Sequence, residues 1–340
     1  MARIIGKHPH ILLSSGLFSE IFMSRPQLPP RIIHDLDAQS TGPLLIVLGG
    51  IHGNERAGVR AAERVLGQLA QQGGPPRGRA IALRGNRKAL AHQERYLDQD
   101  LNRMWTASGI AALREAASAQ PDAEQEELLD LLAIFRQLDR GRYSPKILLD
   151  LHTTSAPGGH FSVVADDELS IRLAATLQAP VITGLTKALV GTTASYCVDQ
   201  GWAGLAFEAG QHHDPRAVTD HEAALWVILD WLDMVPQALH PKALKATLHL
   251  RDQNAALPPF VQVVYRHAIT PEEGFRMRPG YINFQAVQKG EPLADDHHGP
   301  ILAPASGLIL MPLYQPQGAD GFFIIQTIEK PAVNFVGSDR

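Results

Sequence analysis

Residues Leu45 to Gly58 read LIVLGGIHGNERAG. With Leu44 before it, the stretch opens as a short apolar run bounded by glycine, which is how a buried strand reads. Gly49-Gly50 break the run, and a helical pattern starts near Glu55. His52 and Glu55 therefore stand at a strand-to-helix turn, where open α/β sheets hold their ligands. An imidazole and a carboxylate three residues apart can bind one metal ion. Zinc accepts such nitrogen and oxygen ligands, and a catalytic site needs three protein ligands with one position left for water.

A third ligand comes from Lys146 to His152, KILLDLH, another apolar run that ends in a histidine. If the two runs are neighbouring parallel strands, His152 projects at the same edge as His52. Asp150, two residues earlier, shares its face in an extended strand and is a candidate hydrogen-bond partner behind a ligand. A bare His-x-x-Glu is usually just a turn and a helix start. The strand and Gly-Gly before it, and His152 after a second strand, favour the metal.

The chain has 340 residues, of which 45% are hydrophobic and 19% charged. That length can bury a large core and suits one large domain plus a smaller one. A net charge of −4 implies no basic face, so neither nucleic acid nor an anionic membrane is expected as a partner. No run is long or apolar enough to span a membrane. Cys197 is the single cysteine, which excludes an internal disulfide and suits a reducing, cytoplasmic location. Ile11 to Met23 is mildly apolar but diluted by Glu20 and serines, and reads as mature sequence rather than a signal peptide. Homo-oligomerisation is left open.

Residues up to about 42 read as a lead-in punctuated by Pro26, Pro29 and Pro30. A helix follows the first strand to about Gln72, with Val59, Ala62, Leu66 and Leu69 as its buried stripe. Arg79 to Leu83 reads as a strand. Asp122 and Gln125 sit at capping-box spacing ahead of a helix to Leu138. Phe161 to Val164, Val181 to Thr183 and Leu205 to Glu208 are further strands, and Asp214-Pro215 opens a helix to about Trp231. Alternating strands and helices predict an α/β fold: a mixed, mainly parallel sheet with helices on both faces. Beyond Pro241 the pattern shows no strong helix, only short alternating runs between Gly- and Pro-rich turns. We expect an α/β domain over 1–240 and a smaller all-β domain over 241–340.

Two polar groups stand out. Asn86 to Trp105, NRKALAHQERYLDQDLNRMW, packs Arg95, Asp98, Asp100, Asn102 and Arg103 among apolar residues, so it should pack rather than float. An arginine beside an amide side chain makes a good carboxylate clamp. Glu208 ends an apolar strand, where partial desolvation lifts a carboxyl toward the range of a general base. His212 and His213, which follow it, read as helix cap and polar loop.

Taken together, GGIHGNE, NRKALAHQERYLDQDLNR, LLDLHTT and FEAG resemble the succinylglutamate desuccinylase/aspartoacylase family of zinc hydrolases, related to metallocarboxypeptidases. The likeness spans about residues 44 to 235, with a β domain after it as in that family. It implies one zinc ion on His52, Glu55 and His152. It further implies that Arg95 polarises the scissile carbonyl, Asn102 and Arg103 hold a substrate carboxylate, Asp100 supports that clamp, and Glu208 is general base and acid. Tyr196 matches a substrate-contacting tyrosine of aspartoacylase. The chain departs from aspartoacylase at Val198, where a substrate-binding arginine is expected, and has Phe322 and Phe323 about where a tyrosine completes that pocket. Gly299 to Tyr314, GPILAPASGLILMPLY, resembles half of a lipoyl-type hairpin domain without its modified lysine. The expected reaction is hydrolysis of an amide or ester in a small substrate bearing a carboxylate. A peptide-cleaving metallocarboxypeptidase and a non-catalytic acyl-amino-acid binding protein are the alternatives.

Overall fold

The computed structural model describes residues 28–115 and 120–331. Ile11 to Met23 and Pro26 lie outside the described residues. The strands are β1 (Ile32–Asp37), β2 (Leu44–Gly49), β3 (Arg79–Arg84), β4 (Lys146–Thr154), β5 (Phe161–Val164), β6 (Val181–Thr183) and β7 (Ala203–Gln211). After them come β8 (Phe260–Ala268), β9 (Arg276–Met277), β10 (Ala286–Val287), β11 (Pro292–Asp296), β12 (Gly299–Leu302), β13 (Gly307–Leu310) and β14 (Asp320–Thr327). The helices are α1 (Ala57–Gln71), α2 (Arg87–His92), α3 (Ala107–Glu115), α4 (Ala123–Asp139), α5 (Glu168–Thr176), α6 (Leu185–Ala188), α7 (Thr193–Asp199), α8 (Arg216–Trp231) and α9 (His240–Asn254).

Eleven strands make one sheet in the order β1-β3-β2-β4-β7-β5-β6-β8-β14-β13-β10, and three more form a small sheet, β12-β11-β9. The centre, β3-β2-β4-β7, is parallel. Strand alternation divides its side chains between two cores. Leu45, Val47, Leu149, Leu205 and Phe207 face the layer of α1 and α8, while Leu44, Ile46, Leu48 and Leu148 face α4 and its neighbours. The fold is therefore the mixed α/β one expected, with a β-rich C-terminal part. Details read from sequence also hold. Val59, Ala62, Leu66 and Leu69 are fully or nearly buried on α1. Asp122 and Gln125 bond reciprocally at the start of α4, at 2.8 and 3.1 Å.

Two expectations are corrected. The lead-in contains a strand: β1, IIHDLD, pairs antiparallel with β3 at the sheet edge. An edge strand is half exposed, so its polar residues hide the pattern. The region after Pro241 contains a helix, α9, with Pro241 in its first turn. It packs on α8 through Ala243, Ala246 and Leu250. Small alanines between Lys, His and Arg carry too little hydrophobic contrast to announce it. The sheet itself runs on past residue 241, since β8 pairs parallel with β6 and antiparallel with β14. The lipoyl-like stretch divides between the sheets, β12 joining the small one and β13 the large one. No helix among the described residues is long and apolar enough to cross a membrane.

Candidate active site

The site forms at the C-terminal edge of β2, β4 and β7. Backbone geometry dictates the glycines of the first turn. Gly50 has φ +71°, and a Cβ on Gly53 would lie 2.1 Å from the carbonyl carbon of Ala89 on α2. Only glycine permits that bend and that approach. The turn carries His52 and Glu55 into the interior, where they are 3% and 2% exposed.

His152 on β4 meets them. Its Nδ1 lies 3.2 Å from Glu55 Oε2, and His52 Nδ1 lies 2.8 Å from Glu55 Oε1. One ligand atom from each of the three residues falls within 4.8 Å of the others. Each imidazole turns its other nitrogen to a carboxylate. His52 Nε2 is 3.1 Å from Asp100 Oδ1, and His152 Nε2 is 3.2 Å from Asp150 Oδ2. A carboxylate behind each histidine fixes ring orientation and leaves both Nδ1 atoms aimed at one point. The buried donor set, two nitrogens and a carboxylate, fits a divalent cation such as zinc. Burial alone would raise the Glu55 carboxyl, but the charge of His52 and hydrogen bonds from His152 and His52 hold it well below the usual range. Burial likewise works against the His152 cation, but Asp150 and Glu55 raise its pKa well above the ordinary one.

Asp100 ties the site to the polar segment. Burial opposes its charge, but Arg95 and His52 keep it ionised well below the usual carboxylate range. Its Oδ2 accepts from Arg95 Nη2 at 3.0 Å, and its Oδ1 accepts from the Asn102 backbone N–H at 2.9 Å. One carboxylate thus holds a candidate ligand, Arg95 and the short 3₁₀ turn Leu101–Arg103. Asn102 Oδ1 accepts from Thr193 N–H and Oγ1 on α7, which leaves its NH2 as donor for the cavity it lines. Arg103 also lines that cavity, and its Nη2 donates to Asp320 Oδ2 at 2.9 Å.

Glu208 pairs in register with His152 across β4 and β7, so both side chains share a face with Asp150 and Ala206. Its carboxyl is 8% exposed, and Oε2 has no hydrogen-bond partner. Burial pushes it up to about 8, opposed by His152 and Arg95 and aided by Glu55 and Asp150.

The cavity that joins these groups encloses about 950 Å³ with its mouth. Of the residues read from sequence, His52, Glu55, Arg95, Asn102, Arg103, Asp150, His152 and Glu208 line it. Asp100 stands behind it. Tyr196 is not among the lining residues: its ring packs 5.3 Å from Trp105, partly buried against the α4-side core. Sequence reasoning missed four residues. His212 bonds Thr153 Oγ1 at 2.7 Å and Gln315 Oε1 at 3.1 Å, so it belongs to the wall rather than to a free loop. Gln315 also accepts from Asn54 Nδ2 at 2.9 Å. Gln317 accepts from the Arg95 backbone N–H at 3.2 Å and donates to Tyr96 O at 3.1 Å. Asp320 joins Arg103 from the far end of the chain. Nothing local marks these residues, because their partners are distant in sequence.

A sequence model described as the succinylglutamate desuccinylase/aspartoacylase catalytic domain matches residues 41–227. The chain belongs to the succinylglutamate desuccinylase/aspartoacylase family. A curated succinylglutamate desuccinylase of Pseudomonas fluorescens is 35% identical over 122 residues, 34% of this chain and 32% of that protein. The chain thus matches about a third of the length of such curated relatives. Among solved structures, succinylglutamate desuccinylase from Vibrio cholerae superposes with TM-score 0.57 at 17% identity, over 86% of this chain and 82% of that one. The succinylglutamate desuccinylase/aspartoacylase of Rhodobacter sphaeroides gives 0.60 at 15%, over 86% and 87%. These likenesses extend the family fold through the β-rich part. All the lining residues from His52 to His212 fall inside the matched family domain, whereas Met311 to Phe323 lie outside it.

Proposed function

We propose that the protein is a zinc-dependent hydrolase that cleaves the amide, or ester, bond of a small N-acyl amino acid. One observation carries this reading: the buried His52–Glu55–His152 group has Glu208, an unpartnered buried carboxyl, beside it in strand register. His52, Glu55 and His152 hold the ion. The ion supplies Lewis-acid polarisation and water activation near neutral pH. Glu208 takes the proton from attacking water and returns it to the leaving nitrogen. Arg95, buried and fixed by Asp100, offers positive charge to the oxygen that becomes negative; one such preorganised donor is typically worth about 3 kcal/mol. Asn102 Nδ2 and the Arg103 guanidinium hold the substrate carboxylate. The loop between β13 and β14 roofs the cavity through Gln315 and Gln317, which supports a small substrate over an extended peptide. The buried, unpaired thiol of Cys197 supports a cytoplasmic location.

Metal content of the purified protein, paired with hydrolysis of a panel of N-acyl amino acids, tests the reading. About one zinc per chain with turnover of any member supports it. Failure to retain zinc after incubation with the metal overturns it.

A further inference from the structure

The charges around the cavity bear on which acyl amino acid it takes. Two arginines line it among the described residues, and both are engaged. Arg95 is spent on Asp100 and lies 3.5 Å from Glu55. Arg103 is paired with Asp320, a carboxylate that belongs to the protein.

Asp320 is built in rather than loosely placed. It starts β14 opposite Ala268 of β8, and the carbonyl before it accepts from Ile269 N–H at 3.0 Å. Its second oxygen accepts from Arg266 Nε at 2.5 Å, and Arg266 Nη1 is tethered to the Ala188 carbonyl at 2.7 Å. The aspartate cannot swing away without breaking both links. Two guanidiniums around one carboxylate leave one net positive charge, which suits a single substrate carboxylate beside the Asn102 amide. A second carboxylate would find Asp320 and no free cation among the lining residues. The lining also includes the apolar Val163, Leu185, Leu189, Met311, Leu313 and Phe323, with the uncharged Thr186 and Thr192 among them. Val198 adds no charge, since it lies on α7 and does not line the cavity.

We propose that Asp320 is a specificity-determining residue that restricts the substrate to one carboxylate, with an apolar remainder, and rejects dianionic acyl amino acids. This inference rests on the hydrolase reading of the same site. Like charges brought together in a site that excludes water cost enough for discrimination of about 100-fold.

The experiment compares N-butyryl-leucine, with one carboxylate, against N-succinyl-leucine and N-butyryl-glutamate, each with two. Turnover is measured for the zinc-loaded wild type, Asp320→Asn and Asp320→Glu. Affinity is measured separately by calorimetry on the zinc-loaded Glu208→Gln protein, with and without Asp320→Asn. We expect the wild type to favour N-butyryl-leucine by about 100-fold. Asp320→Asn should improve at least one dianion about tenfold relative to it, and Asp320→Glu should restore the preference. Binding preference with no turnover would sustain this inference while sinking the hydrolase reading. A dianion preferred by the wild type, a ratio unmoved by Asp320→Asn, or no binding of any of the three would overturn it. If the Asp320 variants do not fold, the wild-type preference alone decides.

Discussion

His152 and Glu208 stand side by side on parallel strands, paired in register, one in the His52–Glu55–His152 group and the other with an oxygen that bonds to nothing. That pairing separates binding from proton transfer. Glu208→Gln should retain zinc at wild-type stoichiometry and lose turnover by about 10²–10⁴-fold. Elemental analysis beside steady-state kinetics checks it, and full activity in the variant would remove Glu208 from its role.

Asp100 holds His52, Arg95 and the turn of the clamp with one carboxylate. Asp100→Asn should lower zinc affinity by about 10–100-fold, as loss of a ligand's hydrogen-bond partner does. It should also lower kcat at saturating zinc, because Arg95 loses its anchor. Zinc titration and kinetics with excess metal separate the two effects.

Chelation should abolish turnover, and added zinc should restore it. His152 must be deprotonated to bind, and Asp150 and Glu55 raise its pKa well above the ordinary one, so zinc affinity should already fall as the pH drops from above about 6.5. Competition with a chromogenic chelator from about pH 6 to about pH 9 measures it.

Away from the site, Asp220 on α8 bridges His160, at 3.1 Å, and His249 of α9, at 2.7 Å. Burial raises its carboxyl, but hydrogen bonds and charge from His160 and then His249 outweigh it and set the pKa below the ordinary value. A depressed carboxyl stabilises the fold above its unfolded pKa, and that contribution fades as pH falls through the folded one. Asp220→Asn should therefore cost about 1–3 kcal/mol near neutral pH, with the deficit shrinking below about pH 4. Urea unfolding at several pH values tests the slope.

Tyr196→Phe should leave kcat/KM within about twofold, because its ring rests on Trp105 and outside the cavity. A large loss in KM would return Tyr196 to the substrate.

The His52–Glu55–His152 group was legible because local patterns carry it. An apolar run stopped by glycines places His52 and Glu55, and a second run places His152. Parallel pairing then aligns the strand ends. Glu208 was legible for the same reason. What the sequence hid depends on long-range pairing. Asp320 meets Arg103 only once β14 is laid beside β8, and Gln315 meets His212 only through the loop before β14. For Tyr196 the resemblance says nothing of side-chain direction, which on a short helix is set by its neighbours, here Trp105. The helix α9 escaped because its buried face, Ala243, Ala246, Leu250 and Asn254, is small and partly polar while Leu244 and Leu248 face outward.

The segment between β13 and β14 reaches the cavity from a part of the chain remote from the rest of the site. Along the chain His52, Glu55 and His152 come first, Glu208 next, and the Met311 to Phe323 wall about a hundred residues later. The proposed hydrolytic centre thus lies inside residues 41–227 and the proposed selectivity at Asp320 outside them, so a change in the second stretch can alter what enters the cavity while leaving the first untouched.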